Sequence, residues 1–327
     1  MRGVDLARYA FDFDLTFSVL LAHPNGHVYH RYGGRDHLAP DRWLGLEAFE
    51  DLLRETLGEH KRVAPVARTL AEPLLIEKIP SFVKRDKGEC VHCHSVFPAF
   101  YEEARGAGTW KEDDRWVYPP PSRIGLELDP QDPMLVLAVE QGSFAGQAGL
   151  RTGDRLLASA TQRLLSYADL GQVLHDFSGD GGELPLEFAR AGSEKQGTLK
   201  LTPGWKRGTP LEFSWRAFKW GFNPAPGFGG PELTGPDKQD LGLEPEVFAF
   251  RVGYLVTWGE NRRFGQQAAG AGLRVGDVFL SAAGKSDFDS HQHFHAWWRL
   301  TRKPGQRVEV VVLRAGKRID LDFEVLR

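Results

Sequence analysis

The spacing of apolar and polar positions near the N-terminus predicts a β-hairpin followed by a helix. Two β-rich runs within residues 15–33 flank Asn25-Gly26, a pair that favours the type I′ turn of a tight hairpin. A helix is indicated after it by apolar residues at three- and four-residue spacing, namely Leu46, Phe49, Leu53 and Leu57. This spacing places one apolar stripe on one helical face. Residues 1–59 are therefore interpreted as a ββα unit.

Residues 60–121 have a less regular pattern. Pro65, Pro73 and Pro80 predict short interrupted helices, and "FPAFYEEARG" predicts one more helix that ends at a glycine. "WVYPPPSR" is typical of a stiff extended connector. This segment also contains the two cysteines of the chain, within "CVHCH".

From about residue 122 the chain repeats itself. "AGLRTGDRLL" at 148–157 and "AGLRVGDVFL" at 271–280 agree at seven of ten positions. Each copy is followed by a predicted helix and then by a strand, a turn and a second strand. Each is also preceded by a Gly-Leu loop, within "IGLEL" in the first copy and "LGLEP" in the second. The sequence therefore predicts two domains of one kind.

This order of elements resembles the bacterial form of the PDZ domain. The resemblance covers residues 122–203 and 238–327 and leaves 204–237, which is rich in Trp, Gly and Pro, as a connector. It implies a groove between a strand and a helix that binds protein C-termini or extended peptides. It also implies that a Gly-Leu loop presents backbone N–H groups to the peptide carboxylate. The implied loop residues are Ile124, Gly125, Leu126, Leu241, Gly242 and Leu243.

Composition and motifs narrow the classes of function. A formal net charge of −3 gives no basic surface for nucleic acid, and no apolar run reaches the length of a membrane helix. PDZ domains often follow serine protease domains, but the chain has no Gly-x-Ser-x-Gly or Gly-Asp-Ser-Gly nucleophile motif. No catalytic residue is therefore assigned. His291, His293 and His295 lie at the start of a predicted groove helix and are interpreted as groove or surface residues rather than metal ligands.

The motif "CVHCH" predicts covalent attachment of haem c. Cys90 and Cys93 would bond to the two vinyl groups, and His94 would ligate the iron as an axial metal ligand. Three alternatives stay open: a disulfide or redox dithiol, a zinc site that adds one or two of His92, His94 and His60, and a pair of free thiols.

The whole arrangement resembles a bacterial family of thioredoxin-like, PDZ-containing (seleno)proteins. The matching stretches are "RYGGRD", "CVHCH", "DDRWVYPPP" and the two "AGL-x-x-GD" sites. The resemblance implies that residues 1–59 are the C-terminal half of a thioredoxin-like fold and that the protein resides in the periplasm or cell envelope. The chain as given has no signal peptide; an upstream selenocysteine codon would explain a start at Met1.

The sequence thus predicts a multidomain α+β protein: a partial thioredoxin-like unit, a short helical segment with Cys-x-x-Cys-His, and two PDZ domains. The predicted function is electron transfer by a cell-envelope protein with covalent haem, with PDZ grooves that recruit partners. The alternative is a non-enzymatic PDZ adaptor in which Cys90 and Cys93 form a disulfide or a zinc site. A redox partner is expected only under the first hypothesis.

Overall fold

The computed structural model describes residues 1–62, 65, 72–84, 88, 90–259 and 261–327. They form two compact units, Met1–Gly208 and Thr209–Arg327, which are described separately. Most of the helix predicted before Pro73 lies outside the described residues. Within the described ranges, no helix has both the length and the apolar character needed to span a membrane.

The first unit begins with the predicted hairpin. Strands β1 (Ser18–Ala22) and β2 (Val28–Gly33) pair antiparallel, and helix α1 (Leu46–Arg62) follows. The helix is rotated relative to the predicted stripe, because Leu52 is buried whereas Leu57 is 53% exposed. The hairpin and helix are therefore as predicted, but Asn25 lacks the positive φ of a type I′ turn, and a different face of α1 packs on the unit.

The next segment consists of short helices. A 3-10 helix spans Ile76–Lys78, α2 spans Pro80–Val83, a second 3-10 helix spans Cys93–Ser95 and α3 spans Val96–Gly106. Proline stands at the first position of α2, where its missing N–H has no helical partner to lose.

The first unit ends in a PDZ-like domain built from small antiparallel sheets. Strand β3 pairs with β4, and a four-stranded sheet has the order β6-β5-β7-β8. Its elements are β3 (Leu126–Leu128), β4 (Val136–Val139), α4 (Phe144–Gln147), β5 (Arg155–Ser159), β6 (Gln162–Arg163), α5 (Tyr167–Asp176), β7 (Gly182–Arg190) and β8 (Ser193–Leu201). Alternate residues of β7 are buried, as expected for a strand with one face on a core.

The second unit has the same plan with an added N-terminal segment. Its larger sheet has the order β10-β12-β13-β14, and β9 pairs with β11. Its elements are α6 (Pro210–Phe213), β9 (Phe228–Gly229), α7 (Gly235–Asp240), β10 (Phe250–Arg251), β11 (Tyr254–Leu255), α8 (Arg262–Gly270), β12 (Val278–Ala282), α9 (His291–Thr301), β13 (Arg307–Arg314) and β14 (Lys317–Glu324). Phenylalanine dominates its core.

One ion pair recurs in both domains at the repeated Gly-Asp. Asp154 is buried and accepts two hydrogen bonds from Arg190, which also donates to Gly149 O at 2.7 Å. In the second unit Asp277 and Arg314 form the same pair. The repeated motif therefore closes the turn before β5 and β12 in the same way. The structure thus has a mixed α/β architecture of small sheets with PDZ-like domains, and the thioredoxin-like origin of residues 1–59 stays a prediction.

Candidate functional site

The predicted loop of the first domain turns at Gly125. A 3-10 helix (Pro121–Ile124) ends there, and Gly125 has a φ of +81°, a conformation that favours glycine. A Cβ atom at this position would lie 2.1 Å from Ser143 Cβ, so the loop also depends on the missing side chain. Ile124 and Leu126 on either side are buried in the apolar core. The loop residues are thus fixed by the fold.

One backbone edge of strand β3 is not paired with β4, although Leu126 and Leu128 are buried. Leu126 is paired with Val139 and Leu128 with Val136, and the flanking bonds run from Glu140 N to Gly125 O and from Asp129 N to Leu135 O. In an antiparallel ladder this pattern marks non-hydrogen-bonded pairs. The N–H and C=O groups of Leu126 and Leu128 therefore point away from β4. Within the described ranges these four groups have no hydrogen-bond partner.

The resemblance to PDZ domains predicts that helix α5, which packs on strand β2 of the hairpin, forms the other wall of this groove. Ser166 caps its N-terminus by accepting a hydrogen bond from Asp169 N at 3.0 Å, and Leu170 and Leu174 anchor it in the core. Near its C-terminal end, the Tyr118 ring stacks on His175 with centroids 4.0 Å apart.

The second loop does not lie where the sequence placed it. Leu241 follows the end of α7, and Leu243 donates its N–H to Lys238 O at 2.9 Å. Both leucines pack against a small cluster that includes Leu280 and Val311. Leu241, Gly242 and Leu243 therefore do not form the groove loop, and this assignment is corrected here.

Backbone geometry identifies the loop of the second domain as Pro226-Gly227-Phe228. Val256 N donates to Gly227 O at 2.8 Å, as Glu140 N does to Gly125 O in the first domain. Gly227 also has a φ of +83°. Phe228 pairs with Leu255, so it takes the place of Leu126. A longer segment between β9 and β10 separates this loop from the repeated motif, which is why the sequence pattern missed it.

In the second domain a histidine of the groove helix bonds to the strand. Gly230 N–H donates to Nε2 of His291, the first residue of α9, at 3.3 Å. His291 N in turn donates to Glu232 at 2.6 Å. Burial lowers the pKa of His291 to about 4, so the ring is neutral at pH 7 and its nitrogen can accept. Strand and helix are thus joined across this groove.

The remaining histidines of "HQHFH" have structural surroundings. Nε2 of His295 lies 3.1 Å from Nε2 of His291, and His295 is buried beside Trp220. His293 pairs with Asp289 at 2.8 Å. Arg299, one turn after His295, lies over the Trp220 ring at 5.1 Å. Trp220 therefore covers the groove helix of the second domain much as Tyr118 covers that of the first.

The predicted haem motif lies at the start of the 3-10 helix Cys93–Ser95, which leads into α3. Cys90 is exposed and Cys93 half-buried, and both are free thiols. Burial raises the pKa of Cys93, whose Sγ lies 3.8 Å from Leu15 O. His94 Nδ1 lies 3.8 Å from the buried Asp14 carboxylate, which raises the pKa of the histidine. This environment disfavours a reactive thiolate and favours a protonated His94.

Comparisons with known proteins give a limited result. No family model matches the chain and no curated protein matches it. Among solved structures it is similar to the HtrA-type protease AlgW with a decapeptide, at 21% identity and a TM-score of 0.26, over 44% of this chain and 50% of that one. A variant of AlgW with a tripeptide is similar at 22% identity and a TM-score of 0.26, over 58% of each chain. The chain thus spans about half the length of these structures, and TM-scores this low carry no argument about activity.

The predicted function of electron transfer through covalent haem is wrong. The solved structures that the chain is similar to are HtrA-type proteases with bound peptides and not haem proteins. Cys90 and Cys93 are not joined in this structure, and the disulfide alternative stays a prediction. For zinc, no group of three or more His, Cys, Asp or Glu side chains is suitably placed among the described residues. Covalent attachment of haem to Cys90 and Cys93 is itself untested and stays a prediction.

Proposed function

We propose that this protein recognises peptides, and that its first PDZ-like domain binds an extended chain with a free C-terminus. The observation that carries the proposal is the outward edge of β3, where the N–H and C=O groups of Leu126 and Leu128 have no partner. A peptide lying antiparallel to β3 would pair with these groups and extend the β3–β4 sheet by one strand.

The loop at Gly125 supplies the end of this groove. The Leu126 N–H follows the left-handed turn at Gly125, where a terminal carboxylate would accept it. Each of these hydrogen bonds contributes about 1 kcal/mol net to binding. Together with the apolar contacts of the last peptide side chain, they lead us to expect micromolar affinity. Membership in the thioredoxin-like, PDZ-containing family and a periplasmic location stay predictions.

A matched pair of substitutions tests the proposal. Gly125→Ala and Gly227→Ala each place a Cβ atom against a close neighbour at a positive φ, in the first and second domain respectively. Ligands selected from a library of free C-terminal peptides would be measured on the full chain by fluorescence anisotropy.

We expect Gly125→Ala to weaken binding at least about tenfold, Gly227→Ala to leave it unchanged, and amidation of the peptide C-terminus to abolish it. Circular dichroism would establish that both variants fold. Loss of binding in Gly227→Ala alone, or equal binding of acid and amide peptides, would contradict the proposal.

A further inference from the structure

The far end of the first groove is covered by a residue from the N-terminal segment. The Trp43 ring stacks on Tyr167, the first residue of α5, with centroids 4.1 Å apart and planes 19° apart. Trp43 is only 6% exposed and belongs to the same buried apolar cluster as Leu126 and Leu128. A side chain from outside the repeated domain thus contributes to the core beneath the groove.

The chain next to Trp43 reaches the opposite wall. A Cβ atom built on Gly45 would lie 3.9 Å from Pro130 O and 3.8 Å from the Gln131 side chain, and both residues come directly after β3. Residues 43–45 therefore extend from the start of α5 to the end of β3. An extended peptide that continued past Leu128 would meet them.

Hydrogen bonds on both sides hold this segment in place. Trp43 Nε1 donates to Asp36 at 3.2 Å, and the Tyr32 hydroxyl donates to Gly45 O at 2.8 Å. Strand β2, which contains Tyr32, is joined to α5 because His30 Nδ1 and Asp169 lie 2.7 Å apart. Arg31 N also donates to Asp169, at 2.9 Å. The closure is thus tied to the helix that lines the groove.

We propose that Trp43 ends the groove and limits the ligand to a short free C-terminus, excluding strands that pass through. The inference rests on the proposed function. From Leu126 to Leu128, β3 offers three residues, or about 10 Å at the usual rise of a strand. Three peptide residues fit alongside, and residues further upstream leave the groove at Trp43.

The test is a series of peptides that share one selected C-terminal sequence and contain three, four, six or ten residues. Affinities would be measured by isothermal titration calorimetry on the full chain and on Trp43→Ala, Trp43→Phe and Trp258→Ala. Trp258 is 58% exposed and serves as the control.

In the natural sequence we expect the decapeptide to bind within about twofold of the tripeptide. In Trp43→Ala the end is open, and the decapeptide is expected to bind about tenfold more tightly than the tripeptide because it gains further strand pairs. Trp43→Phe and Trp258→Ala should keep the flat length dependence.

Three results would overturn the inference. They are a steady gain of affinity with length in the natural sequence, the same length dependence in Trp43→Ala, and binding of internal peptides that lack a free C-terminus in the groove. Failure of every peptide to bind any variant would instead reject the proposed function, and this inference with it.

If Trp43→Ala does not fold, the inference is tested instead by crosslinking a peptide to the protein with its natural sequence. A decapeptide with benzophenone at the fourth residue from its C-terminus is expected to label residues 36–45. Labelling that leaves residues 36–45 unmodified would mean that the peptide does not meet Trp43 and would overturn the inference.

Discussion

The two PDZ-like domains share a fold but differ in the groove. In the first, both Leu126 and Leu128 present unpaired backbone groups. In the second, Phe228 takes the place of Leu126, but the N–H two residues further on belongs to Gly230 and bonds to His291. The first domain is closed at its far end by a distant segment, and the second by its own strand and helix.

This difference shows that a repeated fold does not imply a repeated function. The Asp–Arg pairs are the same in both copies because they close a turn that the fold needs. The edge strands differ because nothing in the fold requires a free edge. Peptide recognition is therefore proposed for one copy and a structural role for the groove of the other.

The largest expected effect concerns the buried Asp–Arg ion pair that both domains contain. Arg190→Met and Arg314→Met each leave a buried carboxylate without its cation, at a cost of about 3 kcal/mol in the free energy of unfolding. Urea unfolding of each variant, with hydrogen exchange to locate the weakened unit, measures this. A cost in one domain only would break the equivalence of the two pairs.

A second prediction concerns a contact that the first unit alone possesses. Burial lowers the pKa of His30, but Asp169 and Glu59 outweigh this effect and the pKa is raised. The charged ring therefore stabilises the fold fully below the unfolded pKa of about 6.5, and this contribution is lost as pH rises through the folded value.

His30→Gln should accordingly lower the stability of the first unit by about 2 kcal/mol at pH 5.5, and by less at pH 9. Thermal unfolding at the two pH values measures the difference. A cost that does not change with pH would mean that the ring acts only by packing.

A third prediction addresses the closed groove. His291→Ala removes the acceptor from Gly230 N–H and should expose a second free edge, with a loss of about 1 kcal/mol in stability. Peptides would then bind to the second domain weakly, as chemical shift changes around Phe228 would show. No change at Phe228 in the folded variant would mean that Trp220 and its neighbours also keep this groove closed.

The last prediction compares the caps of the two groove helices. Ser290 Oγ accepts from His293 N, whereas Ser166 Oγ accepts from Asp169 N and also donates to Arg31 O. Ser290→Ala should cost about 1 kcal/mol and Ser166→Ala about twice that, measured by thermal unfolding. Equal costs would mean that the bond to Arg31 contributes nothing.

The sequence predicted elements best where the signal was local. Asn25-Gly26 predicted the hairpin, and the Gly-Asp motif predicted the PDZ-like order. The first loop follows from "IGLEL" because only a short connection separates β3 from β4. In the second domain the connection is longer. "LGLEP" has the same Gly-Leu pattern but lies at the end of α7, whereas "PGFG" at 226–229 forms the loop.

Long-range contacts were beyond the sequence. The alignment of His30 with Asp169 joins residues far apart in the chain, and nothing local marks either as a partner. The same holds for Trp43 and Tyr167. The motif "CVHCH" predicted a specific chemistry from local residues alone. The Asp14 carboxylate next to His94 comes from a distant part of the chain, so the motif could not predict it.

The stacking of Trp43 on Tyr167 also limits how the chain can be divided into fragments. A fragment cut before residue 122 would lose one aromatic ring of its core and the histidine and backbone partners of Asp169. The first repeat is thus not a cassette that can be transplanted by itself. Its recognition properties belong to the longer piece of polypeptide that includes the hairpin, and any chimera should carry both.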